Sequence, residues 1–244
     1  MPEKPLKQKM RAGETVVGVV IPCAIDRVGF QRIMDRGPYE FVSVDSQHSA
    51  LSENGLVDLC SLAGEFGIPV QFRIKHTRNT YLIGNYLDLG PAGVEVPQVE
   101  MEGTVDEAIE YFYYPPAGVR SVGGGARLRV GEFADPFDYA EWWNGHGLLW
   151  MQLESVQAVE KVFCLAKEGV DCVSFGPTDL SFDLRNHPHP RLETVDDCVR
   201  SVVSTLEDVP VAVCFRTYSP DRRQRYLDMG VGVILEHHQH LGLP

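Results

Sequence analysis

A closed (β/α)8 barrel is the fold the sequence predicts, and three observations carry that prediction. Short apolar runs alternate with longer amphipathic segments along the whole chain, the runs number eight, and they are apolar on both faces. Strands buried on both faces belong to parallel sheets covered by helices. Alternating strands and helices build such a sheet, and eight strands allow it to close on itself. At 244 residues the chain has the length of one barrel domain, and no low-complexity tract or linker divides it.

The eight predicted strands are 16–21, 41–45, 70–73, 93–97, 148–154, 172–176, 211–215 and 231–235. Helix-like stretches lie between them, among them 55–66, 105–113, 157–167, 195–206 and 220–229. Thr104 and Glu107 have the spacing of a capping box for the second of these. Gly67, Gly90, Gly169 and Gly230 stand where helices should stop. Residues 114–147 break the rhythm and read as a long loop with a short helix, possession of Pro115-Pro116 and Gly123-Gly124-Gly125 being the reason.

The formal net charge is −12 and no stretch is strongly basic. This composition speaks against a nucleic-acid partner and against an anionic membrane surface. No apolar run reaches the length of a membrane span, and the first eleven residues are polar with several Lys, unlike a secretory signal. The six cysteines form no CxxC pair and mostly sit in apolar runs, so free buried thiols in a reducing cytoplasm are expected.

In a parallel barrel, reactive groups gather where strands end, because the following loops surround one face. The second strand ends in Asp45-Ser46-Gln47-His48, the third in Arg73, the fifth in Gln152-Leu153-Glu154, and the sixth runs into Gly176-Pro177-Thr178-Asp179. A carboxylate near an imidazole makes His48 a candidate general acid or base oriented by Asp45; an exposed loop histidine is the plainer alternative. Glu154 and Asp179 offer oxygen ligands that leave an octahedral ion open to water and a chelating substrate; helix capping is the alternative. Arg73 offers a planar fork for a carboxylate or oxyanion, or else an ion pair with Asp45 or Asp88. Backbone N–H groups of Gly176 to Thr178 could hold a substrate carboxylate, although Pro177 supplies none.

Two further features read as something other than binding sites. The triple glycine followed by Arg127 and Arg129 lacks the form of a phosphate loop and is taken as a flexible active-site loop. The stretch Glu236-His237-His238-Gln239-His240 is taken as a frayed polar terminus rather than a metal site.

The sequence resembles the HpcH/HpaI aldolases, the class II pyruvate aldolases, from about Val16 to Leu235. The marks are Phe41-Val42-Ser43-Val44-Asp45-Ser46-Gln47-His48, Tyr114-Pro115-Pro116-Ala117-Gly118-Val119-Arg120, Gln152-Leu153-Glu154, Gly169-Val170-Asp171 and Gly176-Pro177-Thr178-Asp179-Leu180-Ser181. The resemblance implies a barrel of the phosphoenolpyruvate-binding type and reversible retro-aldol cleavage of a 4-hydroxy-2-oxo acid to pyruvate, or a related 2-oxo acid, and an aldehyde. It implies a divalent metal on Glu154 and Asp179, with Mg²⁺ foremost and Mn²⁺ or Co²⁺ as alternatives. It also implies that Arg73 and Gln152 hold the 2-oxo acid and its enolate. Asp45 and His48 would handle the acceptor proton, and backbone groups from Gly176 to Thr178 the carboxylate. Chelation of the carboxylate and 2-oxo oxygens would put positive charge beside the forming enolate. Lys75, on the continuation of the third strand, leaves a lysine-based route as an outsider.

Three departures from the family pattern bear on the reaction. Gln47 stands where the family commonly has Glu, Glu236-His237-His238 replaces small polar residues, and the sequence stops at Pro244, where a further helix usually follows the eighth strand. A truncated final helix is expected to leave apolar surface near the first and eighth strands, and so a homo-oligomer, trimer or hexamer. An enolate condensing with another electrophile, as in citrate formation, is a second enzymatic reading; a non-catalytic barrel subunit is a third.

Overall fold

The computed structural model describes residues 4–218 and 220–241. Its centre is a closed barrel of eight parallel strands in sequence order, with β1 hydrogen-bonded to β8. The strands are β1 Val16–Val20, β2 Phe41–Asp45, β3 Val70–Arg73, β4 Gly93–Val96, β5 Leu148–Leu153, β6 Cys172–Phe175, β7 Ala212–Thr217 and β8 Val233–His237. Each predicted strand is therefore present. The last two, however, continue two residues beyond their predicted ends, which brings Arg216, Thr217, Glu236 and His237 into the barrel wall.

The helices are α1 Leu6–Arg11, α2 Arg27–Met34, α3 Glu53–Glu65, α4 Ile83–Leu87, α5 Glu102–Phe112, α6 Pro136–His146, α7 Val156–Glu160, α8 Val162–Leu165, α9 Pro177–Asn186, α10 Val195–Thr205 and α11 Arg223–Leu227. Gly67, Gly90, Gly169 and Gly230 all have positive φ, as helix-ending glycines should. The predicted capping box at Thr104 is wrong. α5 begins earlier, at Glu102, so Thr104 lies inside the helix, and Glu107 instead accepts from the Thr80 hydroxyl. A reciprocal box does start α10, where Thr194 and Asp197 exchange bonds of 3.2 and 3.0 Å.

The strand period of two sends alternate side chains inward and outward. Outward residues such as Phe215 meet helices; its ring stacks on Tyr226 of α11 at 3.7 Å. Inward residues divide into two levels. The lower level is apolar: Val16, Phe41, Leu148, Trp150, Cys172, Cys214, Val233 and Leu235 pack together, and Met10 of α1 packs against them from below. Phe41 fills the barrel axis over Gly18, where a Cβ would lie 2.2 Å from the ring, so β1 needs glycine there. The polar N-terminal segment thus contains a docked helix that its composition did not announce. Lys7 is buried and forms a 3.2 Å ion pair with Asp171, with 2.8 Å to the Gly147 carbonyl.

The upper inward level is polar: Asp45, Arg73, Glu95, Gln152, Ser174 and Arg216 occupy it. A charged layer needs internal partners to remain buried. Glu95 is fully buried and accepts from Ser174 and from the Arg216 guanidinium. Residues 114–135 follow a helix rather than a strand, so they belong to the opposite end of the barrel. Gly124 packs on Asp88 and Gly90 approaches the Ala126 carbonyl, both at the turn leading into β4. The triple glycine is therefore not an active-site loop of its own chain.

Candidate active site

Register brings the strand-end residues together. Asp45 on β2 is paired with Arg73 on β3, which is paired with Glu95 on β4. The Arg73 fork faces Asp45, with Nε donating to Oδ1 at 2.8 Å and Nη2 to Oδ2, while Nη1 donates to Gln152 Oε1 at 3.0 Å. The second hydrogens of Nη1 and Nη2 are left for a ligand. Gln152 is fully buried and its Nε2 has no partner among the described residues. An orphan amide donor in such a place suits an acceptor oxygen arriving with a substrate.

Asp45 thus orients Arg73, and no hydrogen bond joins it to His48. The Asp45–His48 pair expected from the sequence is not hydrogen-bonded in this structure; Asp45 spans the Arg73 fork, and its Oδ1 also accepts from the Gln47 N–H at 2.8 Å. His48 itself is exposed and lines the cavity mouth. Burial alone would raise the Asp45 carboxyl, but the hydrogen bonds and charge of Arg73 outweigh it and hold the group below its usual range. A depressed folded-state value contributes stability above the unfolded value that is lost as pH falls through the folded one. Unfolding midpoints should therefore decline below about pH 4, and Asp45→Asn should show a shallower decline in thermal melts across that range.

Glu154 follows β5 directly. Its Oε2 accepts from the Gln98 N–H at 2.9 Å, offered by a residue at φ 51°. A Cβ on Gly176 would lie 2.3 Å from Glu154 Oε1, so glycine is required for the carboxylate to seat there. Burial pushes the Glu154 carboxyl up to about 7; Arg73 opposes the shift and the neighbouring Asp179 carboxylate adds to it. Neither Glu154 nor Asp179 has an ion pair among the described residues. Two close carboxylates without a cation partner, one of them buried, have the donor set and the missing charge that a hard divalent ion supplies. Asp179 occupies the first turn of α9 and is not its N-cap; Gly176 is.

The open N-terminus of α9 faces the same space. Gly176 N–H is spent on the Leu153 carbonyl at 3.1 Å and Pro177 has none, so the free donors are those of Thr178 and Asp179. Of the backbone groups expected from Gly176 to Thr178 to hold an anion, only that of Thr178 is therefore available, with Asp179 N–H beside it. A helix N-terminus with unpaired N–H groups favours a carboxylate.

These groups line one cavity of about 290 Å³, together with Arg216, Tyr218 and His237. Arg216 escaped the sequence reading and His237 was assigned to a frayed terminus, because their strands appeared to end earlier. The alternation of β7, with Cys214 inward, was the available signal. Glu236 is not a frayed terminus either: it is 2% exposed and accepts from Tyr39 at 2.9 Å and from Arg223 Nε at 2.9 Å. His238 shares a 2.9 Å bond with the Val20 carbonyl, whereas residues 242–244 lie outside the described part. Among the described residues no cluster of three or more His, Cys, Asp or Glu side chains could hold a metal. Lys75 is exposed and does not line this cavity. No helix among the described residues is long and apolar enough to cross a membrane.

Comparison with known proteins bears on the family and the fold. Residues 56–230 match the family model described as HpcH/HpaI aldolase/citrate lyase. The chain is 26% identical over 236 residues to a hydroxypyruvate/pyruvate aldolase of Pseudomonas aeruginosa, covering 96% of this chain and 86% of that protein. It is 25% identical over 230 residues to a 4-hydroxy-2-oxo-heptane-1,7-dioate aldolase of Shigella sonnei (strain Ss046), covering 93% and 86%. The crystal structure of an HpcH/HpaI aldolase from Desulfitobacterium hafniense DCB-2 superimposes with a TM-score of 0.84 at 28% identity, covering 96% of this chain and 90% of that one. The chain, with a family model that matches residues 56–230 and so most of its barrel, belongs to the HpcH/HpaI aldolase/citrate lyase family.

Proposed function

We propose that the protein is a divalent-metal-dependent aldolase that cleaves a 4-hydroxy-2-oxo acid to pyruvate, or a related 2-oxo acid, and an aldehyde, and runs the reverse addition. The observation that carries this reading is the convergence of Arg73, Gln152, Glu154, Asp179 and the N-terminus of α9 on one cavity. Glu154 and Asp179 would hold the metal, Mg²⁺ first and Mn²⁺ or Co²⁺ as alternatives. A cation there supplies positive charge beside the 2-oxo acid and makes its C3 position acidic.

The chain's own groups divide the remaining work. Thr178 and Asp179 N–H groups and Gln152 Nε2 orient the substrate carboxylate end. The free Arg73 hydrogens stabilise the oxygen on C2 as negative charge develops there. In cleavage, the C3–C4 bond breaks, its electron pair passes into the enolate, and the C4 hydroxyl proton goes to His48. Protonation at C3 then gives the 2-oxo acid.

His48 stands at the mouth, over the acceptor half, so its replacement should separate two activities. His48→Ala is expected to lower aldol cleavage by about a hundredfold while retaining pyruvate methyl exchange. Release of pyruvate from a 4-hydroxy-2-oxo acid, followed with a coupled reductase, measures the first, and NMR in deuterated water the second. Equal loss of both would assign the proton transfer elsewhere. A different electrophile, as in citrate formation, would appear as turnover with an acyl thioester and none with aldehydes.

We further place the protein in the cytoplasm and in a homo-oligomer, trimer or hexamer. Six unpaired thiols support the first. Large exposed apolar side chains, Phe137 at 81% and Phe163 at 67%, support the second.

A further inference from the structure

The division of work above leaves one charged group of the cavity without a task. Arg216, near the top of β7, turns inward and lines the cavity, and β7 lies diametrically opposite β3 in the closed ring of strands. Arg73 and Arg216 therefore face the same space from opposite walls. Each is held by a carboxylate from another strand: Arg73 by Asp45 of β2, and Arg216 by Glu95 of β4, whose other oxygen accepts from Ser174. Glu95 and Arg216 stand three strands apart, so their ion pair crosses the barrel interior. The Arg216 side chain is 9% exposed, and its Nε has no partner among the described residues. Burial acts against its charge, but the Glu95 carboxylate outweighs burial and raises the group above its usual range. A buried pair is a poor filler, since apolar side chains of similar volume stabilise as well or better, and such side chains already fill the level below. An anchored guanidinium with an unused donor beside a cavity suits instead an oxygen brought by a ligand.

We infer that Arg216 is a catalytic residue that donates to the oxygen on C4, and that Glu95 is the positioning residue that aims it. The inference rests on the aldolase reading and adds a second oxyanion donor to it. Two oxygens change charge when the C3–C4 bond breaks or forms: the one on C2, which becomes the enolate oxygen, and the one on C4, which alternates between hydroxyl and carbonyl. Arg73 serves the first. In cleavage, the C4 hydroxyl proton passes to His48 and negative charge grows on that oxygen. The charge is then drawn into the new C4 carbonyl as the electron pair of the C3–C4 bond passes to the enolate. Arg216 donates to the oxygen while it carries that charge. In the addition direction, the same contact polarises the aldehyde carbonyl before the enolate attacks. A cavity of about 290 Å³ is small enough for the stretch from C2 to C4 to meet both guanidinium groups. Because the contact is to the reacting oxygen, it is indifferent to what the rest of the aldehyde carries.

The test uses the full chain with Mg²⁺ and 4-hydroxy-2-oxopentanoate, whose acceptor half, acetaldehyde, bears no charge. Arg216→Lys keeps a cation beside Glu95 but replaces the fork by a point charge. Its kcat for cleavage should fall by about a hundredfold with KM within about threefold of wild type, as for a contact made chiefly in the transition state. Pyruvate methyl exchange in deuterated water involves no C4 oxygen, and on the same samples it should stay within about threefold. Glu95→Gln should lower kcat by about tenfold, and adding it to Arg216→Lys should cost little more, because Glu95 acts only through Arg216. E95M/R216M removes both charges at once, so it guards against misfolding around a single buried charge, and it should show the same split between cleavage and exchange. Cleavage within about threefold of wild type in both Arg216→Lys and E95M/R216M, or equal loss of cleavage and exchange, overturns the Arg216 assignment and leaves the aldolase reading standing. Losses from Glu95→Gln and Arg216→Lys that multiply in the double variant overturn the positioning role of Glu95. Absence of exchange in the wild-type protein with Mg²⁺, Mn²⁺ and Co²⁺ overturns the aldolase reading itself, and the Arg216 assignment with it.

Discussion

Arg73→Lys is expected to lower turnover by about a hundredfold while leaving the barrel folded, the range seen when an aimed oxyanion donor is lost. One guanidinium here does three things. It spans both oxygens of Asp45, supports Gln152 through Nη1, and keeps two hydrogens for the substrate. A lysine ammonium is a compact point charge that can satisfy Asp45 but cannot hold the Gln152 amide and a C2 oxygen in the same fixed plane. The positive charge remains, so Asp45 is not left buried beside nothing and the stability loss should be small. Turnover by the coupled pyruvate assay and melting by circular dichroism separate the two effects. Near-native turnover in the Lys variant would make Arg73 a structural partner of Asp45 only.

Glu154→Gln should have the larger effect on activity, a loss on the order of a thousandfold, with the Mg²⁺-dependent rise in melting temperature abolished. The metal-free variant should nevertheless melt higher than the metal-free wild type at pH 8. At that pH the wild-type carboxylate is ionised although burial and the Asp179 charge both disfavour it, as its value near 7 records. A neutral amide removes that repulsion and keeps the acceptor for the Gln98 N–H. Such a gain in stability on removing a functional charge is the mark of a site built for a ligand. A Gln variant that still responds to Mg²⁺ and turns over normally would remove Glu154 from the metal site.

The strands were legible in the sequence because each is apolar on both faces, and the helix ends because glycine alone tolerates positive φ well. The tops of β7 and β8 were not. Arg216 and His237, turned inward around the barrel mouth, and Glu236, turned outward to Tyr39 and Arg223, interrupt the apolar signal and resemble loop residues. Glu95 lay within a predicted strand, but its role shows only through partners across the barrel, Ser174 and Arg216. Asp45 and His48 look like a pair because they are three positions apart. Register instead puts Asp45 opposite Arg73, which is 28 positions away in sequence but adjacent across the sheet. The glycine-rich segment was misplaced for a topological reason: a loop that follows a helix serves the other end of the barrel. Lys7 and α1 were hidden because an isolated polar turn shows its role only through Asp171 and the Gly147 carbonyl.

Exchange of pyruvate methyl protons for deuterium, followed by proton NMR in deuterated water without any aldehyde, tests the central claim most directly. It isolates enolate formation at Arg73, Glu154 and Asp179 from acceptor chemistry. The expected result is rapid loss of the methyl signal with Mg²⁺, its arrest by excess chelator, recovery when metal is returned, and no exchange in Glu154→Gln. Exchange that continues at the same rate after complete metal removal, or none with Mg²⁺, Mn²⁺ or Co²⁺, would contradict a metal-dependent enolate at this site.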